Sequence, residues 1–374
     1  MKRIISLIIS AAMIICFAGC NEKEYNQSWR IVSSFIMTER EKHGMFTVNS
    51  DKLCFVDFST MEQSPVCDDP TCKHDSIKCS AFEKTNHPFI YNNKLYYFKM
   101  TDTYQENDNY YMDSQLWQSN INGTDEKQVA EFKKLIYNEY DRLLIYKNML
   151  YFCMTCQPYD KDYNILETSS EFVTYNLDSG EIKNYGEVVK GYSSGSWVCG
   201  LWNDAAIFMT SKAKDNRPYM EKIQEYAEKN NLSEDEALTQ FTDDFLTEYY
   251  QFNLESGTIE KLKLPDPVEI TESCYFYNNG DELEYFDSDN KTHKLGLKNI
   301  SNITSLGKYC VLYGENDNYI YNIAKECIYK IQGKYHVGSF AAEYDDSLII
   351  EIIGDDGLSK TYEKKSVNEI GEKL

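Results

Sequence analysis

Along most of the chain, short apolar runs are each opened by a polar turn, a pattern of strands rather than helices. One version reads Asp51-Lys52-Leu53-Cys54-Phe55-Val56, Asn93-Lys94-Leu95-Tyr96-Tyr97-Phe98 and Asn148-Met149-Leu150-Tyr151-Phe152-Cys153. It returns at 204–209, 281–286, 307–312 and 346–350, making seven copies. After most copies a strand ends in Asn-apolar and a polar hairpin follows, as in Asn120-Ile121-Asn122-Gly123, Asn176-Leu177-Asp178-Ser179-Gly180 and Asn253-Leu254-Glu255-Ser256-Gly257. Asp57-Phe58-Ser59-Thr60 and Asn322-Ile323-Ala324-Lys325 are degenerate forms of it. Glycine there allows the positive φ that tight hairpins need.

Repeats of roughly 40 to 55 residues, each a small antiparallel meander, are the signature of a β-propeller, whose blades bury their faces only against neighbours. The expectation is therefore an all-β propeller of seven blades. The copies near Leu283 and Tyr309 lie close together, so one blade is short and six is the alternative count. A pair of β-sandwiches is the rival architecture.

One stretch breaks the strand pattern. Between Arg217 and Tyr250, Tyr219, Ile223 and Tyr226 share a helical face. Ser233-Glu234-Asp235-Glu236 then has the form of a capping box, with Leu238, Phe241, Phe245 and Leu246 following at helical intervals. This predicts a two-helix insertion over about residues 217–248, inside the fourth blade. It is either a decoration that buries its own apolar face or a docking surface on the rim.

The first residues differ from all of this. Lys2 and Arg3 precede an apolar run from Ile4 to Phe17, too short to span a bilayer and of signal-peptide form. It ends in Phe17-Ala18-Gly19-Cys20, which resembles the lipobox of bacterial lipoproteins, with Phe17 where Leu is usual. The reading is a signal peptide over 1–19, a lipidated tether over 20–30 beginning at Cys20, and one propeller over 31–374. Diacylation of Cys20 would hold the chain on the outer face of the cell membrane, since two or more acyl chains anchor stably.

Composition adds two limits. The net charge of −22, without clusters of Lys and Arg, excludes nucleic acid as a partner. Twelve cysteines in an exported chain permit disulfides, so their local arrangement matters. The densest group is Cys67, Cys72, His74 and Cys79, a C-x4-C-x-H-x4-C run. Three thiolates and an imidazole suit a closed tetrahedral zinc site, while a disulfide-stapled loop is equally open, with one cysteine left over. Either role is structural, pinning the link between blades one and two.

The lipobox, a first blade ending at Pro65-Val66-Cys67, and the Cys-x-x-Pro-x-Cys-x-His run followed by Cys79-Ser80-Ala81 together resemble a group of Gram-positive cell-surface lipoproteins. Those carry a TolB-like or WD40-like propeller. The resemblance covers nearly all of the chain after Cys20 and implies fold and surface location, without an activity.

Three further motifs call for chemistry that their surroundings do not match. Gly191-Tyr192-Ser193-Ser194-Gly195 has the letters of a nucleophile elbow, but no βαβ alternation surrounds it and only His293 and His336 lie downstream. An inter-blade loop is the better reading. Asp160, Asp162, Asn164 and Glu171 have the spacing of a calcium loop, but Ile165 stands where the turn needs glycine, favouring a solvated acidic turn. Cys153-Met154-Thr155-Cys156 lies on a strand and lacks the helix N-terminus that activates redox thiols. The sequence thus points to a non-catalytic module for a protein, peptide or glycan, held to the membrane by its lipid. The alternative is an extracellular propeller hydrolase or lyase with a carboxylate or metal site at the channel mouth.

Overall fold

The computed structural model describes residues 29–374 except 34–38, 42, 43, 50, 68, 70, 76–78, 83–85, 138–141, 334, 336–338 and 355–359. Cys20, the expected signal peptide and His336 lie outside the described residues. Seven antiparallel sheets follow one another along the chain, spanning residues 39–65, 89–132, 142–191, 195–261, 267–298, 300–331 and 340–366. Each is a meander in sequence order, four strands in the first six blades and three in the seventh. From blade three to blade seven, the first strand of each contacts the first strand of the next, so these strands line the hub of a ring. The molecule is a seven-bladed β-propeller, and the crowded fifth copy is its compact fifth blade.

Each blade contains one copy of the repeat, as the strand that follows a tight turn. Asn92-Asn93, Asn203-Asp204 and Asp345-Asp346 have positive φ at both residues, the turn whose twist matches the flanking strands. The second repeat element has an equally local cause. Asn176 Oδ1 accepts from the backbone N–H groups of Asp178 and Ser179, and Asn253 Oδ1 from those of Glu255 and Ser256. Asp57 does the same with Ser59 and Thr60. The recurring Asn or Asp is the side chain that closes the turn before the outermost strand.

Both faces of a blade are buried, which is why the runs read as nearly continuous apolar segments. Leu143 and Ile145 face blade two, while Leu144 between them faces blade four. Six apolar clusters cover all seven blade interfaces, including that between blades seven and one. There Met45, Val56 and Phe58 pack on Ala342, Ile349 and Tyr362. The Tyr362 hydroxyl donates to Thr47 Oγ1 at 3.0 Å, and Gln63 Nε2 donates to the Lys360 carbonyl at 2.7 Å. The ring closes by face packing between complete sheets, without a shared strand.

Both ends of the described chain pair with sheets distant from them in sequence. Residues expected to end the tether form a strand, Trp29–Ser33, that pairs antiparallel with Arg142–Tyr146, the first strand of blade three. It therefore lies inside the hub. Trp29 is 6% exposed and packs among residues of blades three, four and five, while Arg30 donates to the Ile90 carbonyl of blade two. Gly200 makes room for it: a Cβ there would stand 2.8 Å from Ile270 and 3.2 Å from the Trp29 ring. At the other end, Gly371–Lys373, which follows blade seven in the chain, adds a strand to the outer edge of blade six. Both pairings are with residues far along the chain, so no local pattern announces them.

Truncating a buried aromatic leaves a cavity, so Trp29→Ala is expected to lower the unfolding free energy by about 3–5 kcal/mol in urea titrations. A cost below about 1 kcal/mol would mean that the strand is not seated in the hub.

Candidate functional site

The link between blades one and two brings Cys67, Cys72, His74 and Cys79 together, with their donor atoms within 4.8 Å of one another. His74 Nδ1 lies 3.3 Å from Cys79 Sγ, and the His74 backbone N–H points at Cys72 Sγ at 3.4 Å. His74 has φ 55, and its carbonyl accepts from Lys52 Nζ at 2.8 Å. Burial pushes the Cys79 thiol up to about 11. At Cys67 the effect of burial is outweighed by donors from the Asp69 backbone and the Ser80 side chain, and its thiol falls below the ordinary range. Among the described residues, this is the group in which three or more metal-binding side chains converge.

The hub holds a second cluster. Arg142 Nη1 of blade three reaches Glu269 Oε2 of blade five at 3.5 Å, passing Cys199 on the first strand of blade four. The Glu269 side chain is largely buried, while that of Arg142 is half-buried. Burial raises the Glu269 carboxyl to about 6 against the opposing effect of Arg142, and raises the Cys199 thiol to about 12. The Trp29 backbone N–H donates to Glu272 nearby, at 3.4 Å.

The third feature is a crescent at one end of the ring. In blades two, three and four the connection between second and third strands is enlarged. It holds the hairpin Tyr104–Glu106 and Asn109–Tyr111, then residues 157–167, then helices α1 (Tyr219–Asn230) and α2 (Glu234–Gln240). Tyr110 and Tyr159 exchange backbone hydrogen bonds of 2.9 and 3.0 Å, and Tyr110 stacks on Tyr163. Asn216 Nδ2 donates to Glu167, and its Oδ1 accepts from Tyr192 N–H at 2.8 Å. The three connections thus form one continuous rim.

The capping box is present: Ser233 Oγ accepts from Glu236 N–H, and Glu236 Oε2 from Ser233 N–H. Ile223, Ala227 and Ala237 form a small core of their own under Tyr226 and Phe241, and Lys222 is ion-paired with Asp243, both buried. The second helix is shorter than its spacing predicts. Asp243-Asp244 ends the insertion, and Phe245 and Leu246 begin a strand paired with Ala205–Ala213, where cross-strand partners override helical spacing. Part of the apolar surface stays outside. Of the thirteen large apolar side chains exposed among the described residues, eight lie on this rim: Met100 from blade two, Tyr163 and Ile165 from blade three, and Tyr219, Met220, Leu238, Phe245 and Leu246 from blade four. Residues 217–248 carry nine acidic side chains against three basic ones, so the patch has an acidic border.

The remaining sequence candidates have local roles. Thr168 of blade three donates to the Gly191 carbonyl at the end of the same blade and shares a hydrogen bond with Ser194 in the link that follows. Ser193 occupies a left-handed turn, and His293 on blade five is paired with Asp287 and stacked on Tyr285. Asp160 closes a turn by accepting from Asp162 and Asn164, while Glu171 lies on the following strand and accepts from Asn184. Asp160, Asp162 and Glu171 do not converge as a metal-holding group. Cys153 and Cys156 face opposite sides of blade three and cannot pair. Sequence reasoning missed the crescent, whose parts come from three separate loops, and the Arg142–Glu269 pair, whose partners are 127 residues apart.

No protein-family model matches this chain, and no curated protein matches it. Among solved structures it is similar to an acylaminoacyl peptidase of Pyrococcus horikoshii, at 11% identity and TM-score 0.41, over 88% of this chain and 49% of that one. It is also similar to PorZ, a surface component of the type-IX secretion system of Porphyromonas gingivalis, at 10% identity and TM-score 0.29, over 90% and 46%. A third likeness is to an α-L-arabinanase of Penicillium chrysogenum, at 11% identity and TM-score 0.34, over 91% and 94%. The chain spans about half the length of the first two. What defines its class is its own sheet order, that of a seven-bladed propeller. Among the described residues, no helix is long and apolar enough to cross a membrane.

Glu269 gives the hub a pH signature. Its folded pKa lies above the ordinary 4.5, so its contribution to stability is full below pH 4.5 and is lost as pH rises to about 6. Relative to Glu269→Gln, the wild type should lose on the order of 2 kcal/mol across that window. Parallel stability curves for the two proteins would refute it.

Proposed function

We propose that this chain is a lipoprotein, held at the outer face of the cell membrane through a diacylated Cys20, and that it binds a protein partner without catalysis. The observation that carries the binding role is the concentration of exposed apolar side chains on three consecutive, interlocked connections at one end of the ring. Contiguous apolar patches rimmed by polar residues mark interaction sites. The acidic border suits a partner with an apolar centre ringed by Lys and Arg.

The chain direction supports the same arrangement. Trp29 pairs with Tyr146, at the end of the blade-three strand away from the crescent, and Ser33 pairs with Arg142 at the near end. Residues before Trp29 therefore join the ring at the end opposite the crescent. A lipid at Cys20 would leave the crescent facing outwards. A hydrolase reading would rest on Glu269, whose carboxylate is committed to Arg142.

Two measurements test this. Cys20→Ser should leave the precursor uncut and without lipid; normal acyl labelling in that variant would sink the anchoring. Surface cross-linking should capture an envelope protein with the wild type and with Ile182→Ser, an exposed control away from the crescent. Tyr163→Ser combined with Leu246→Ser should weaken capture about 30-fold or more, since losing even one central apolar anchor costs about 2 kcal/mol and such losses are not additive. Equal capture by all three proteins would remove the crescent from consideration.

A further inference from the structure

We propose that Cys67, Cys72, His74 and Cys79 form a structural Zn²⁺ site that fastens the link between blades one and two. Their donor atoms already lie within 4.8 Å of one another. With Zn–S bonds of about 2.3 Å and a Zn–N bond of about 2.0 Å, tetrahedral ligand atoms stand roughly 3.5–3.8 Å apart. Small side-chain rotations close that difference.

The backbone helps to aim the donors, since the His74 N–H points at Cys72 Sγ at 3.4 Å and fixes the direction of that sulfur. The left-handed backbone at His74 (φ 55) directs its N–H to Cys72 while its ring reaches Cys79. Lys52 holds that turn from blade one through the His74 carbonyl.

The cysteine count points the same way. A disulfide within the cluster leaves a third thiol, and the nearest spare cysteine is on the wrong side. Cys54 pairs in register with Thr47, whose hydroxyl accepts from Tyr362 of blade seven, so Cys54 faces away from blade two. In this structure Cys67, Cys72 and Cys79 are free thiols. Three sulfurs and one imidazole nitrogen fill a tetrahedron and leave no position for substrate, so the metal would fold the link rather than catalyse. On binding, three S–H bonds give way to three S–Zn bonds and the protons pass to solvent.

The test uses the chain from Cys20 onwards, reduced and loaded with zinc. Elemental analysis should find one zinc per chain after desalting. Cobalt in its place should give thiolate-to-metal charge transfer and the visible bands of a tetrahedral ion. Cys72→Ser and His74→Ala should retain far less than one metal per chain, with circular dichroism confirming that the blades are folded. His74→Cys should keep one metal and shift the cobalt spectrum to the four-sulfur form. Folded wild-type chain that holds no stoichiometric metal overturns the proposal. So does a disulfide between any two cluster cysteines in protein recovered from the cell surface. Neither result bears on the crescent.

Discussion

Each blade of this ring has two apolar faces, and water can be kept from both only by a blade on either side. Alternation along single strands shows how strictly this holds. In blade three, Phe152 turns to the blade-two interface and Cys153 to the blade-four interface; in blade five, Tyr275 and Phe276 divide in the same way. A row of such sheets ends satisfactorily only when the last meets the first. Blades seven and one meet through Tyr362, Thr47, Gln63 and Lys360, with every strand of each sheet contributed by its own stretch of chain. Closure therefore leaves the two ends of the chain available for other work, and both are used to cover sheet edges: Trp29–Ser33 within the hub and Gly371–Lys373 on the outside of blade six.

With the ring as a rigid frame, variation is confined to its ends. At one end, the first two strands of blades two, four and seven are joined by two-residue turns of Asn and Asp, which leave little surface to recruit. The opposite end carries the inter-blade links and the enlarged connections of blades two to four. Specialised features gather there: the Cys/His link, the Tyr110–Tyr159 bridge and the two helices. A partner on the crescent would meet elements that are already tied to one another, so little order would have to be gained on binding.

Much of this was legible in the sequence because its causes are local. A turn Asn bonds to backbone two or three residues on, and a capping box spans four residues, so Asn176 and Ser233 could be placed from their neighbours alone. The Cys/His cluster was visible for the same reason, being thirteen residues long. What could not be read depends on distant partners. Five residues from Trp29 carry no sign that their ladder is with Leu143 and Leu144, and Arg142 gives no hint of Glu269. Phe245 and Leu246 misled for a related reason. Their spacing fits a helix, but Lys212 and Ala213 offered a strand edge.

Threading the first strand through the hub also sets how the molecule bears load. On the proposed anchoring through Cys20, a tether joined at Trp29 would pull along the axis of that strand, parallel to the residues it pairs with. Its five residue pairs with blade three are then strained together, in shear, rather than opened one after another like a zip. The Trp29 ring, seated against Gly200 and Ile270, acts as a stop within the ring. Drag on the body of a propeller anchored in that way would be carried at its centre, with no outer sheet edge peeled away.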